Sequence, residues 1–138
     1  MAPTFRHGKG GIFTCSDTGG TTFTLSSGLN ECSLNTVGET ADVTTFGDDD
    51  RAYIAGLRNH TLSLTGLFSS THEARLRGMV GNTTASNFVF GPQGNTTGFP
   101  KLSGAFHLTA YDVSAPVADV VTVSLSGQIT GAVASGTF

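Results

Sequence analysis

The 138-residue chain has no tryptophan and two cysteines, and Asp, Glu, Lys and Arg together make up 12% of it. That is about half the usual charged share of a soluble domain. Its seven basic side chains are scattered along the sequence and cannot form the phosphate-neutralising stripe that specific DNA or RNA binding needs. No apolar run approaches the roughly 20 residues that cross a bilayer as a helix. The amino terminus, from Met1 through Arg6 to Gly11, has no apolar stretch behind its basic residues, so it does not read as a signal peptide. The expectation is a chain made and used in a cytoplasm, without a membrane. In that setting Cys15 and Cys32 read as buried free thiols rather than a disulfide, although they could face each other on neighbouring strands. The length fits a single domain over 1–138, with residues 1–11 as a flexible amino-terminal arm.

What the chain does contain is glycine (19 residues), threonine and serine, with ten phenylalanines. Disorder would need low hydrophobicity together with high net charge, and 38% hydrophobic residues with a formal charge of −3 supply neither. The composition fits β structure, threonine on wetted strand faces and glycine in turns. Periodicity agrees. From Asp119 to Val133, Val121, Val123, Leu125 and Ile129 alternate with Thr122, Ser124, Ser126, Gln128 and Thr130, which predicts a long strand with one buried and one wetted face. Asn59 to Ser69 sets Leu62, Leu64 and Phe68 against Thr61, Ser63 and Thr65, and Gly104 to Val113 sets Phe106, Leu108 and Ala110 on one face. Phe88 to Phe90 is a short apolar strand before the turn cluster Gly91 to Asn95. Ile12 to Ser16 and Thr21 to Ser26 predict a hairpin across Asp17 to Gly20, and a further short strand is expected at Asn30 to Leu34.

Two stretches break the β pattern. Ser70-Thr71-His72-Glu73 fits a capping box. Behind it Ala74, Leu76, Met79 and Val80 recur at near-helical spacing, with Arg75 and Arg77 outward, and Gly81-Asn82 ends the run. One helix over about 70–80 is expected, packing Leu76 and Val80. The stretch from Thr36 to Ala52 reads as a long loop, well beyond the usual 4–6 residues or so. It carries Glu39, Asp42, Asp48, Asp49 and Asp50 against Arg51, which makes it the candidate for contacts outside the monomer.

No catalytic set converges. His7, His60, His72 and His107 lie on separate segments without metal-ligand spacing. Asp48-Asp49-Asp50 lacks the alternating ligands of a calcium loop, and Gly8-Lys9-Gly10-Gly11 lacks the rest of a phosphate loop. The chain is expected to be no enzyme and to hold no metal or cofactor.

From about Thr21 onward the order of motifs resembles the tail-tube (major tail) proteins of long, non-contractile-tailed bacteriophages and the similar tubes of gene-transfer particles. The resemblance rests on Phe23-Thr24-Leu25-Ser26, Thr40 to Gly47, Tyr53-Ile54-Ala55-Gly56-Leu57, Leu62 to Gly66, Phe90 to Gly94, Tyr111 to Val117 and the closing Gly136-Thr137-Phe138. It implies a mainly β (α+β) fold, a β-sandwich or barrel with one flanking helix, similar to type VI secretion ring proteins. It further implies a homo-oligomer: hexameric rings that stack around a tape-measure protein, end at tail terminator and distal tail proteins, and later pass DNA without gripping it. The place would be the tail of a virion assembled in the host cytoplasm. Six copies at −3 would carry about −18 per ring, a balance that repels DNA. Within that plan, Glu39, Asp42, Thr45, Phe46, Asp48, Asp49, Asp50 and Arg51 are expected at an inter-ring contact, and Thr122, Ser124, Ser126, Gln128 and Thr130 toward the lumen. A β-sandwich decoration or adhesion module on a virion or cell surface is the alternative.

Overall fold

A computed structural model describes residues 5–26 and 28–138. Seven strands lie in chain order as β1 (Ile12–Ser16), β2 (Thr22–Thr24), β3 (Leu29–Asp42), β4 (Tyr53–Leu67), β5 (Ser86–Gly91), β6 (Pro100–Ser114) and β7 (Thr122–Thr137). Helix α1 (Ser70–Met79) joins β4 to β5. The strands form one sheet in the order β2-β1-β5-β6-β7-β4-β3, antiparallel at every pairing.

The alternation of β7 sets the core. Val123, Leu125 and Ile129 are buried while Ser124, Ser126, Gln128 and Thr130 are exposed. The same inner face takes Leu62 and Leu64 from β4, Phe106 and Leu108 from β6, Phe88 from β5, Phe13 and Cys15 from β1, and Phe23 from β2. Residues from opposite ends of the sheet therefore share one core, with Leu29, Cys32 and Leu34 of β3 packed against it. A flat sheet could not do this. The sheet curls so that its two ends face each other across the core without pairing, and the expected sandwich or barrel is a single rolled sheet. Phe13 stacks on Phe88 at 6.1 Å, and Phe106 meets Phe88 edge-on at 5.8 Å. α1 inserts Leu76 and Met79 into the core, and its His72 ring stacks on Phe23 at 5.3 Å.

At Gly66 the chain crosses itself. A Cβ there would run into the Gly28 carbonyl and come within 2.7 Å of the Leu29 Cα, so only glycine lets β3 begin this close to β4.

Several expectations change in detail. The stretch 36–52 is not one loop: Thr36 to Asp42 is strand, paired with β4, and the loop proper is residues 43–52. Polar residues there suggested a loop, but a strand wetted on both faces needs no apolar alternation. β7 begins at Thr122, itself half-buried, and runs on to Thr137. In β6 an extra residue, Thr109, shifts the register between Leu108 and Ala110, which brings Tyr111 rather than Ala110 against the core. Phe68 lies past the end of β4 and is partly exposed. The helix is capped at Ser69 without a side-chain hydrogen bond, so the capping box at Ser70 does not form; Glu73 accepts instead from Arg77 Nε at 2.6 Å. Met79, not Val80, is the second buried residue of the helix. Arg75 and Arg77 do point away from the core, lying over the rings of Phe23 and Tyr111 at 5.2 and 5.3 Å.

Candidate functional site

β4 pairs with β7 from Leu67 back to Thr61, opposite Gln128, and no further. Beyond that point β7 continues beside β6 alone, and β4 from His60 to Tyr53 continues beside β3 alone. The β3–β4 hairpin thus leaves the sheet as a two-stranded arm. Isolated hairpins are at best marginally stable in water, and this one also displays Val37, Val43, Phe46, Tyr53, Ile54 and Leu57 to solvent, Leu57 at 81% exposure. An apolar surface of this kind on a projecting element marks a contact with another chain.

The arm's tip is locally built. The Thr45 backbone N–H donates to Asp48 Oδ2 at 2.7 Å, the Thr44 N–H to Asp42 Oδ1 at 2.9 Å, and the Ala52 N–H to Thr44 Oγ1 at 2.9 Å. The Thr44 hydroxyl and then its backbone N–H hold the Asp42 carboxyl below its ordinary value. Gly47 turns the chain at φ +97°. The result presents Phe46 fully to solvent, with Asp49 and Asp50 making no hydrogen bond or ion pair among the described residues. Arg51 lies 3.8 Å from Asp42, both exposed, a pair worth little in water. Glu39 sits higher on the arm, where Gly56 and Leu57 share its place in the ladder. All eight residues expected at a contact therefore sit on one arm and are exposed. Sequence reading passed over Tyr53, Ile54 and Leu57 as contact residues; the signal was an apolar cluster beside an acidic turn, without the alternation of a half-buried strand.

The second surface is the outer face of β3, β4, β7 and β6. Thr65, Ser63 and Thr61 of β4 stand opposite Ser124, Ser126 and Gln128 of β7. Glu31, Ser33 and Asn35 flank them on β3, and His107 and Asp112 on β6. These positions hold hydroxyls, amides, two carboxylates and the imidazole of His107, with no lysine or arginine. Of the five β7 residues expected on a wet face, Thr122 is half-buried and the other four are exposed.

Cys15 and Cys32 are free thiols, each pushed up to about 12 by burial. No group of His, Cys, Asp and Glu among the described residues could hold a metal ion, and no helix among them is long and apolar enough to cross a membrane.

A rolled antiparallel sheet with one helix, a projecting apolar–acidic arm and a hydroxyl-rich strand face defines a structural subunit built to assemble. The chain belongs to the phage tail tube protein family, whose model matches residues 6–135. This family is structural, not enzymatic. Among solved structures, the chain is similar to the tail of an empty gene transfer agent particle refined with C6 symmetry, at 21% identity and a TM-score of 0.81, covering 96% of this chain and 100% of that one. It is similar also to the SPP1 tail tube, at 12% identity and a TM-score of 0.76, covering 96% and 80%. A chain of the anti-feeding prophage baseplate matches at 12% identity and a TM-score of 0.76, covering 99% and 97%. No curated protein sequence matches.

Proposed function

We propose that the chain is the repeating subunit of a tail tube: six copies close into a ring, and rings stack into a hollow conduit that delivers DNA. The observation that carries this reading is the β3–β4 arm, whose exposed apolar side chains and acidic tip have no role in a monomer and would be covered by neighbouring copies. The sixfold count follows the C6 symmetry of the similar gene transfer agent tail. The arm, from Glu39 through Asp42, Thr45, Phe46 and Asp48 to Arg51, is the inter-ring contact.

The hydroxyl-rich face of β7 and its neighbours, with Ser124, Ser126, Gln128 and Thr130 exposed and Thr122 at its end, lines the lumen. A wall without lysine or arginine cannot neutralise DNA phosphates and so releases none of the counterions condensed on the DNA, which leaves DNA to slide rather than bind. A tape-measure protein fills that lumen before DNA does, and terminator and distal tail proteins close the two ends. The tail of the particle, assembled in the host cytoplasm, is the working place.

Electron microscopy of the purified protein tests the reading. Hollow tubes or sixfold rings are expected on concentration. A chain that stays monomeric at every concentration and salt would favour the surface-decoration module instead.

A further inference from the structure

The arm's charge has a counterpart on the same molecule. Between Thr36 and Arg58 five carboxylates face two arginines, so this segment alone accounts for the chain's formal charge of −3. In the remainder acids and bases balance, but they are not evenly spread. Arg75 pairs with Asp17 and Arg77 with Glu73, whereas Arg6, Lys9 and Lys101 have no carboxylate partner among the described residues. Two of them sit at adjoining rings. Arg6 lies 4.4 Å over the Phe99 ring and Lys101 lies 5.7 Å over the Phe138 ring. Phe99 and Phe138 are joined by a backbone hydrogen bond of 3.0 Å, and the positions of Gly91 and Gly94 abut both rings, Ile12 and Gly10.

Beside this cluster opens a groove of about 580 Å³ between the amino-terminal segment and β3, with Lys9 on its wall and Ile12, Leu29, Cys32, Phe90 and Pro92 among its lining. It has the apolar surface and room for an aromatic ring. Its own subunit cannot fill it. Glu31, also on the wall, lies near the start of β3, which runs on to Asp42 and at about 3.3 Å per residue holds the tip roughly 35 Å away.

We propose that this groove and its cationic rim receive the hairpin tip of a second copy of the chain, Phe46 entering the apolar lining while Asp49 and Asp50 meet Arg6, Lys9 and Lys101. This rests on the tube reading and names the acceptor for the arm. Each copy then offers a tip and a socket on different surfaces, a heterologous contact that propagates instead of closing on a dimer. Glu31 on the wall opposes the tip, so the rim cations must outweigh it, and opposite charges across the contact fix its register.

Charge reversal tests it. Asp49→Lys with Asp50→Lys, or Arg6→Glu with Lys9→Glu and Lys101→Glu, should each raise the concentration needed for assembly at low salt by about tenfold or more, with high salt narrowing the gap. A chain carrying both reversals should recover most of the loss. Assembly of either single-sided variant at the wild-type concentration, or no recovery in the combined variant, would overturn the socket while wild-type tubes leave the tube reading standing. Absence of tubes from the wild type would count against the tube reading instead. Should a reversed chain misfold, cross-linking decides: in a Cys32→Ala background, oxidised Phe46→Cys plus Lys9→Cys chains should give disulfide ladders longer than dimers, and dimers alone would overturn the proposal.

Discussion

The side-chain amide of Gln128 donates to the main-chain oxygen of His60 at 3.0 Å and to Asn59 Oδ1 at 2.7 Å, at the residue where β4 stops pairing with β7. A side chain takes over as the ladder ends, and the fork between arm and body is held by it. Gln128→Ala should cost about 0.5–1.5 kcal/mol and leave the body folded. Hydrogen exchange should speed up around Asn59 and His60 and not at Leu125. Unchanged exchange at the fork would show that the amide does not hold it.

His60 faces inward at 7% exposure, and its Nδ1 shares a hydrogen bond of 2.9 Å with the Thr36 hydroxyl. Thr36→Val removes that partner while keeping the shape. A nearly buried ring nitrogen left unpaired costs about 1–3 kcal/mol, readable in a urea melt. Thr36→Ser should retain most of the stability.

Glycine at position 66 is a matter of space. Gly66→Ala places a methyl into the Gly28 backbone, and backbone cannot swing aside as a side-chain end can. Overpacking of this kind costs about 1–3 kcal/mol or more. Thermal unfolding of the purified variant checks it; a melting point equal to wild type would mean that the crossing is looser than described.

The helix separates two substitutions. Ser70→Ala removes no cap bond, because Ser69 holds the cap position and makes none, so stability should stay within about 0.5 kcal/mol. Leu76→Ala opens the core under the helix, where Leu76 is 4% exposed, and should cost about 2–5 kcal/mol.

Alkaline pH should weaken the fold. Burial raises both thiols from 9.0 to about 12, so the folded chain keeps protons that the unfolded chain gives up. Their contribution is fully present below about pH 9 and is lost as pH rises toward 12. Urea midpoints across that range should fall, and fall less in Cys15→Ala.

Strand content and the buried face of the last strand were legible in the sequence because alternation of aliphatic residues with Ser, Thr and Gln is a local signal. The helix was legible from its spacing, as was the acidic turn from its charge. Val123, Leu125, Leu62, Leu64, Phe106 and Leu108 all lie where period-2 reading puts them. The register slip at Thr109 was not legible, since an extra residue in one strand is defined only against its partner. The capping box failed for a related reason: the residue starting the helix was fixed by where β4 ends, and that put Ser69 at the cap.

By itself the sequence determined a lean β chain with one helix and an acidic segment, because period, composition and charge are properties of neighbours along the backbone. Only the tertiary structure decided that Thr36 to Asp42 is strand, that the hairpin leaves the sheet at Thr61 and Gln128, and that Arg6 and Lys101 lie over Phe99 and Phe138 beside the groove that Lys9 lines. Those facts depend on which strands pair and where the pairing stops. A strand exposed on both faces has no apolar period to betray it, and cations far apart in sequence become one rim only when the sheet rolls.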